Sequence, residues 1–144
     1  MAQSIYPSLA YEDAARAIVW LRDAFGFEAR LVVPGPGAYG ERGEGEGGAG
    51  ATIAHAELRT ETGYVLMLLS TQLSTRRNRS PRTLGGTAQS VYVTVPDVDL
   101  AHDRAVRAGA EVFNPLHETD YGSREFCCLD PEGHIWTFGS YQPE

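Results

Sequence analysis

The chain has 144 residues, 42% of them hydrophobic, and a formal net charge of −7. This length suits one domain with a sizeable core or two small halves packed together. The acidic balance argues against nucleic acid and against an anionic membrane as partners, because both require a basic surface. The first residues lack the pattern of a signal peptide, and no stretch approaches the length of a membrane span. We therefore predict a cytoplasmic protein.

The chain opens with a strand, a helix and a second strand. In "LAYEDAARAIVWLRDAFGFEA", Asp13 begins the helix, apolar residues follow at helical spacing, and Gly26 ends it. The next stretch, residues 34–50, is "PGPGAYGERGEGEGGAG". It is too rich in glycine to hold regular structure, so we predict a surface loop.

Two strands complete the first half. In "IAHAEL", His55 and Glu57 have the i, i+2 spacing that places both side chains on one face of a strand. In "ETGYVLMLLS", Gly63 forms a turn and the strand that follows carries Met67. The first module is therefore β-α-β-β-β over residues 1–72.

The second half repeats this plan after a linker at residues 73–87. "VTVPDVDLAHDRAVRAGAEVF" again holds a strand, a helix that starts at Asp97 and a stop at Gly109. Its apolar residues predict a helix stripe that includes Leu100 and Val106. "PEGHIWTFGS" repeats the glycine turn and final strand of the first half. Residues 88–144 form the second β-α-β-β-β module.

The helix of each module covers one face of its sheet, so we expect the other faces to line a shared cleft for a small ligand. Strand alternation directs Val91 and Val93 to the helix and leaves Ser90 and Tyr92 for the cleft. Tyr6 is the first-half counterpart of Ser90. Tyr121 and Arg124 in "DYGSREF", together with Glu125, are expected near the rim.

The duplicated plan, the "DPEGH" turn and "AGAEV" after the second helix resemble the vicinal oxygen chelate superfamily. That superfamily includes glyoxalase I, bleomycin resistance proteins and extradiol dioxygenases. The resemblance covers nearly the whole chain. It implies an α+β fold in which tandem β-α-β-β-β modules form a cup-shaped half-barrel, the glyoxalase/bleomycin resistance fold. It also implies a homodimer.

The resemblance identifies where a metal would bind. Metalloenzymes of the superfamily carry ligands on the first and last strands of each half, and these positions fall here at Tyr6, Met67, Ser90 and Thr137. A divalent metal prefers imidazole or carboxylate ligands, and none of these side chains offers one. We predict no metal and no other cofactor. His55 and Glu57 could together offer two ligands to one ion, fewer than a catalytic site needs.

The cysteines, two of the histidines and the tryptophans are not expected to take part in ligand binding or catalysis. Adjacent Cys127 and Cys128 point to opposite faces of a strand, which disfavours a disulfide between them, and we interpret both as buried thiols. His102 is expected at the surface and His117 in the loop "NPLHETDYGS". The tryptophans Trp20 and Trp136 are expected in the core.

Two functional hypotheses remain. The first is a metal-independent binding protein, similar to the bleomycin resistance branch, that sequesters a planar or cationic small molecule such as an antibiotic or aromatic metabolite. The alternative is a glyoxalase-type lyase or isomerase, or another enzyme of the superfamily, with Tyr6, Tyr92 or Glu57 as general acid or base. The expected ligand contacts are Tyr6, His55, Glu57, Met67, Ser90, Tyr92, Tyr121, Arg124 and Thr137.

Overall fold

The computed structural model describes residues 2–35, 52–73 and 77–144. Most of the predicted glycine-rich loop lies outside these ranges. The first half contains β1 (Ser8–Tyr11), α1 (Ala14–Phe25), β2 (Glu28–Pro34), β3 (Ile53–Arg59) and β4 (Val65–Ser70). A short helix follows, α2 (Pro81–Leu84). The second half contains β5 (Ser90–Thr94), α3 (Val98–Arg107), β6 (Glu111–Glu118), β7 (Arg124–Leu129) and β8 (Ile135–Gly139).

Each half forms a four-stranded mixed sheet with the same topology. The strand order is β1-β4-β3-β2 in the first sheet and β5-β8-β7-β6 in the second. In each sheet the first and last strands of the module pair in parallel, and the remaining pairs are antiparallel. The predicted tandem β-α-β-β-β fold is therefore confirmed.

The chain divides into two compact units. The first comprises residues 1–22 and 26–80, and the second comprises residues 23–25 and 81–144. Within the described residues, no helix is long and apolar enough to cross a membrane.

The helix starts and the first helix stop follow the sequence signals. The carboxylates of Asp13 and Asp97 accept hydrogen bonds from the backbone N–H groups of Arg16 and Leu100, which caps α1 and α3. Gly26 ends α1 in the left-handed conformation, with φ of 73°, which suits a residue without a side chain.

The buried face of the second sheet carries its core. Its side chains are at most 7% exposed: Val93, Phe126, Cys128, Trp136 and Phe138. Phe25, which belongs to this unit, packs its ring 5.1 Å from that of Trp136. The strand alternation predicted for β5 and β8 is confirmed by this burial.

The stripe predicted for α3 is partly wrong. Leu100 and Val106 are 53% and 48% exposed, whereas Val98 and Ala105 are buried. His102 lies on the same side as this buried pair, and its ring stands edge-on to Phe126 at 5.1 Å. It is therefore half-buried and not the surface residue expected, because the stripe that packs on the sheet runs one position away from Leu100.

Strand β6 extends further than the sequence indicates. His117 lies on this strand, not in a loop as predicted. The residues Asn114 and Pro115 are typical of loops, but β6 is an edge strand of its sheet, where a proline costs no ladder hydrogen bond. The register shifts between Asn114 and His117.

Burial was predicted for two tryptophans and two cysteines, and it is wrong for one of each. Trp136 is fully buried as predicted, but Trp20 is half-buried. Cys128 is buried, whereas Cys127 is half-buried. Neighbouring residues on a strand face opposite sides, so only one of the two thiols can enter the core.

Candidate functional site

The open face of the first sheet, opposite its buried side chains, carries three predicted residues. Met67 of β4 lies between Ser8 of β1 and Glu57 of β3 in the strand register. His55 lies two residues before Glu57, and Leu31 of β2 lies beside Glu57. The buried face of β3 and β4 is formed by side chains at most 3% exposed: Ala56, Leu58, Leu66 and Leu68.

His55 and Glu57 share a face, as their spacing predicts, and bind each other. His55 Nε2 lies 3.0 Å from Glu57 Oε1. Both side chains are more than a third exposed, at 36% and 39%. A pair this open to solvent contributes little to stability, so it remains available to contact a ligand.

Tyr6 does not lie on the first strand as predicted. Strand β1 begins at Ser8, and the Tyr6 hydroxyl donates a hydrogen bond of 2.7 Å to the backbone carbonyl of Gln3. Pro7 explains the late start, because it accepts a bond from the Met67 N–H but has no N–H of its own. Tyr6 is 43% exposed.

The open face of the second sheet carries a row of polar and aromatic side chains. Thr137 of β8 lies between Tyr92 of β5 and Cys127 of β7. The Thr137 hydroxyl lies 3.2 Å from Cys127 Sγ. Asn114 of the edge strand ends the row, with its side-chain amide 3.9 Å from the same sulfur. The row therefore offers an aromatic ring, a hydroxyl, a thiol and an amide.

A second row on the same face holds a buried carboxylate. Glu125 of β7 lies beside Gly139 of β8 and is only 7% exposed. The Tyr121 hydroxyl donates a 2.8 Å hydrogen bond to Glu125 Oε1. The Tyr92 hydroxyl donates a 2.9 Å bond to the backbone carbonyl of Tyr141. We define Tyr92, Tyr121, Glu125, Gly139 and Tyr141 as the tyrosine–carboxylate cluster.

The cluster favours the protonated forms of Tyr92 and Tyr121. Burial raises the pKa of Tyr92, hydrogen bonding to Ser123 partly opposes this rise, and the charge of Glu125 adds to it. The pKa of Tyr121 is raised chiefly because its hydroxyl proton is bound by the Glu125 carboxylate. At neutral pH both hydroxyls are therefore hydrogen-bond donors.

The structure sets Arg124 apart from the other predicted residues. Its guanidinium donates two bonds of 2.9 Å to Asp99 of α3 and one of 3.1 Å to Glu118 of β6. These carboxylates raise the pKa of Arg124. Arg124 neighbours Glu125 in β7 and so points to the opposite face of the strand. Ser90 lies at the exposed start of β5.

Cys127 and Cys128 have different environments. Burial raises the pKa of Cys128 to about 12, so its thiol stays protonated in the core. Cys127 contacts Thr137 on the open face. A charged partner that would turn Cys127 into a strong nucleophile is not among its contacts in the described residues.

A groove of about 380 Å³ lies elsewhere in the second unit. It runs between α2 and the turn Asp130–Gly133, and Arg82, Leu129 and Ile135 are among its lining residues. It includes none of the predicted ligand contacts.

Comparisons with known proteins identify the family. The family model described as "Glyoxalase/Bleomycin resistance protein/Dioxygenase superfamily" matches residues 5–138. The chain belongs to this superfamily.

One protein sequence and two solved structures that are similar to this chain illustrate the relationship. An uncharacterized protein of Mycobacterium bovis is 34% identical over 94% of this chain and 82% of its own length. The crystal structure of TioX from Micromonospora sp. ML1 is 30% identical, with a TM-score of 0.70, and covers 98% of this chain and 100% of TioX. A glyoxalase family protein from Bacillus cereus is 20% identical, with a TM-score of 0.68, over 96% and 93% of the two chains. The last similarity shows the fold alone.

The superfamily's metal-ligand positions do not fit a divalent metal in this chain. Met67 and Thr137 occupy equivalent places on the last strands of the two sheets, and they offer a thioether and a hydroxyl. Tyr6 and Ser90 offer two further hydroxyls. Such neutral donors are weak ligands compared with imidazole or carboxylate. Among the described residues, no group of three or more His, Cys, Asp or Glu side chains could hold a metal.

Several residues at the open face of the second sheet were not among the predicted ligand contacts. Glu125 was expected at the rim, but its burial against Gly139 depends on a neighbouring strand. Cys127 was assigned to the core, although its alternation with buried Phe126 and Cys128 indicates the open face. Tyr141 lies after the last strand, where no periodic signal exists.

Proposed function

We propose that this protein binds a planar or cationic small molecule on the open faces of its sheets, as a metal-independent member of the superfamily. The observation that carries the proposal is the composition of these faces. At equivalent places they present half-buried Met67 and Thr137, with Tyr92 beside Thr137. A thioether and an aromatic ring suit flat apolar ligands, and hydroxyls orient them.

Each unit offers ligand contacts on its own open face. In the first, Met67 would supply an apolar wall, and the His55–Glu57 pair would supply polar contacts. In the second, Tyr92 would stack on the ligand while the Thr137 hydroxyl orients it. Tyr6, Ser90 and Tyr121 are exposed and complete the set. Arg124 is omitted because Asp99 and Glu118 already bind its guanidinium.

The contacts of the possible acid–base residues favour binding over catalysis. The hydroxyls of Tyr6 and Tyr92 both donate to backbone carbonyls. The raised pKa of Tyr92 leaves its hydroxyl protonated at neutral pH, so it is not available as a general base. Glu57 is bound by His55. A proton-transfer role in a glyoxalase-type reaction would have to displace these partners.

Acridine provides a direct test, because it is flat, fluorescent and neutral at pH 8. We expect saturable binding to the purified protein, followed by fluorescence titration. Tyr92→Ala should weaken acridine binding by about tenfold, since it removes the stacking surface and the apolar contact. Tyr64→Ala is the matched control, because Tyr64 is 55% exposed and lies outside the proposed set.

Two results would contradict the proposal. One is the absence of saturable acridine binding by the wild-type protein. The other is an equal loss in Tyr92→Ala and Tyr64→Ala, which would place the ligand elsewhere or indicate nonspecific binding. Circular dichroism of each variant should confirm that the fold is retained.

We further propose a homodimer in the cytoplasm, on the basis of the assembly common in this superfamily. Size-exclusion chromatography with light scattering should give twice the chain mass of 15.7 kDa. A mass of one chain at micromolar concentration would contradict the dimer.

A further inference from the structure

Glu125 is a buried residue whose carboxylate has no cationic partner among the residues that the structure describes. The side chain lies on the open face of the second sheet and is 7% exposed. Within residues 77–144, its hydrogen-bond donor is the neutral Tyr121 hydroxyl, and no Arg or His nitrogen lies within ion-pair distance. A buried carboxylate is costly unless a charge or several donors compensate it. The Glu125 carboxylate can therefore still bind a positively charged group.

Nearby basic side chains do not supply that charge. Arg124 is adjacent in sequence but is bound by Asp99 and Glu118 on the other side of β7. His117 is paired with Glu125 in the backbone register of β6 and β7. Its Nδ1 donates a 2.8 Å hydrogen bond to the carbonyl of Pro115, on its own strand.

Three tyrosine side chains lie near the same carboxylate. Tyr121 binds it directly, and the ring of Tyr141 stands edge-on to that of Tyr121 at 5.7 Å. Tyr92 also reaches this point, since a Cβ atom at Gly139 would overlap its hydroxyl and lie 2.9 Å from Glu125 Cγ. The absence of a side chain at Gly139 therefore lets Tyr92 and Glu125 approach each other closely.

We propose that the tyrosine–carboxylate cluster is a subsite for an organic cation, in which Glu125 neutralises an alkylated or protonated nitrogen of the ligand. This inference rests on the proposed function and names the ligand class. Aromatic rings attract cations through their faces, and the attraction grows when water is excluded. The carboxylate beside the tyrosines adds a direct ion pair. The net charge of −7 favours the approach of such a ligand.

Two probes of nearly the same shape, one charged and one neutral, test how much the ligand's charge contributes to binding. N-methylacridinium carries a fixed positive charge, whereas acridine at pH 8 is neutral. We expect the wild-type protein to bind the cation at least about fivefold more tightly than acridine, from cation–π attraction and the ion pair. Calorimetric or fluorescence titrations at low and moderate salt would measure both affinities.

Glu125→Gln tests the assignment with little change in shape. The variant should lose most of the preference for the cation, because only the cation–π contribution remains, while keeping its affinity for acridine. Glu61→Gln is the charge-matched control, since Glu61 lies in the exposed turn between β3 and β4, and it should retain the preference. Tyr121→Phe keeps the ring and removes the competing hydroxyl, so the preference should persist.

The outcomes separate the two proposals. If acridine binds but the wild-type protein shows no preference for the cation, or Glu125→Gln keeps the full preference, the cation subsite is wrong and the proposed function stands. If neither probe binds the wild-type protein, both proposals fail. If Glu125→Gln does not fold, Tyr121→Leu replaces it: loss of the ring should reduce the preference at least about twofold, and an unchanged preference would overturn the subsite.

Discussion

Gly139 shows how the absence of one side chain shapes the second open face. Its Cβ position is occupied by the Tyr92 hydroxyl and by the Glu125 side chain. Neither neighbour can retreat freely, because Tyr92 is hydrogen-bonded to the Tyr141 carbonyl and Glu125 to Tyr121. The glycine is needed here for close approach.

Gly139→Ala should therefore destabilise the protein by about 1–3 kcal/mol, the usual cost of forcing an extra methyl group into a packed site. It should also weaken cation binding by displacing Tyr92 and Glu125. Urea unfolding and N-methylacridinium titration would measure the two effects.

Gly86→Ala is the control for this prediction. A Cβ atom at Gly86 would meet no atom within 4 Å. We expect its free energy of unfolding to change by less than about 0.5 kcal/mol. Equal effects of the two substitutions would show that Gly139 has no special packing role.

At the scale of elements, the "DPEGH" turn between β7 and β8 is built around Asp130. One carboxylate oxygen accepts backbone N–H bonds from Glu132 and His134, at 3.0 and 3.1 Å. The other accepts the indole N–H of buried Trp136 at 3.0 Å. Asp130 thus joins the turn to the core of the second unit.

Asp130→Ala should lower the free energy of unfolding by on the order of 3 kcal/mol, because it leaves the Trp136 N–H without its acceptor in the core and opens the turn. Asp130→Asn should lose less, since an amide oxygen still accepts bonds from the turn. Denaturant unfolding followed by tryptophan fluorescence would measure both.

The matched control is Asp120→Ala, in the exposed turn between β6 and β7. We expect a change within about 0.5 kcal/mol. An Asp130→Ala variant as stable as this control would contradict the structural role assigned to the turn.

Local signals predicted the elements that depend on local physics. Helix starts at Asp13 and Asp97 and the stop at Gly26 were evident because capping involves residues close in sequence. The length of β6 was not predictable, because Pro115 is tolerated only by the strand's edge position. The alternation of side chains along β7 could have predicted which face Cys127 lies on. The burial of Glu125 could not be predicted in this way, because it depends on Gly139 in another strand.

In the whole molecule, the repeat is the feature that connects the sequence to the fold. It predicted both sheets and made Met67 and Thr137 equivalent, which is visible in their matching places beside β1 and β5. The same equivalence shows that residues of weak ligand character stand at both last-strand positions. The identity of the contacts around Glu125 required the three-dimensional structure, because they join strands that are distant in sequence.

We propose that this protein binds an organic ligand directly, without a metal at the superfamily's ligand positions. The most direct test is acridine titration of the purified protein in EDTA and again after addition of nickel, zinc or manganese. We predict dissociation constants that agree within about twofold, because the half-buried positions Met67 and Thr137 lack strong metal ligands. Stoichiometric binding of one ion, together with acridine binding that requires that ion, would contradict metal-independent binding.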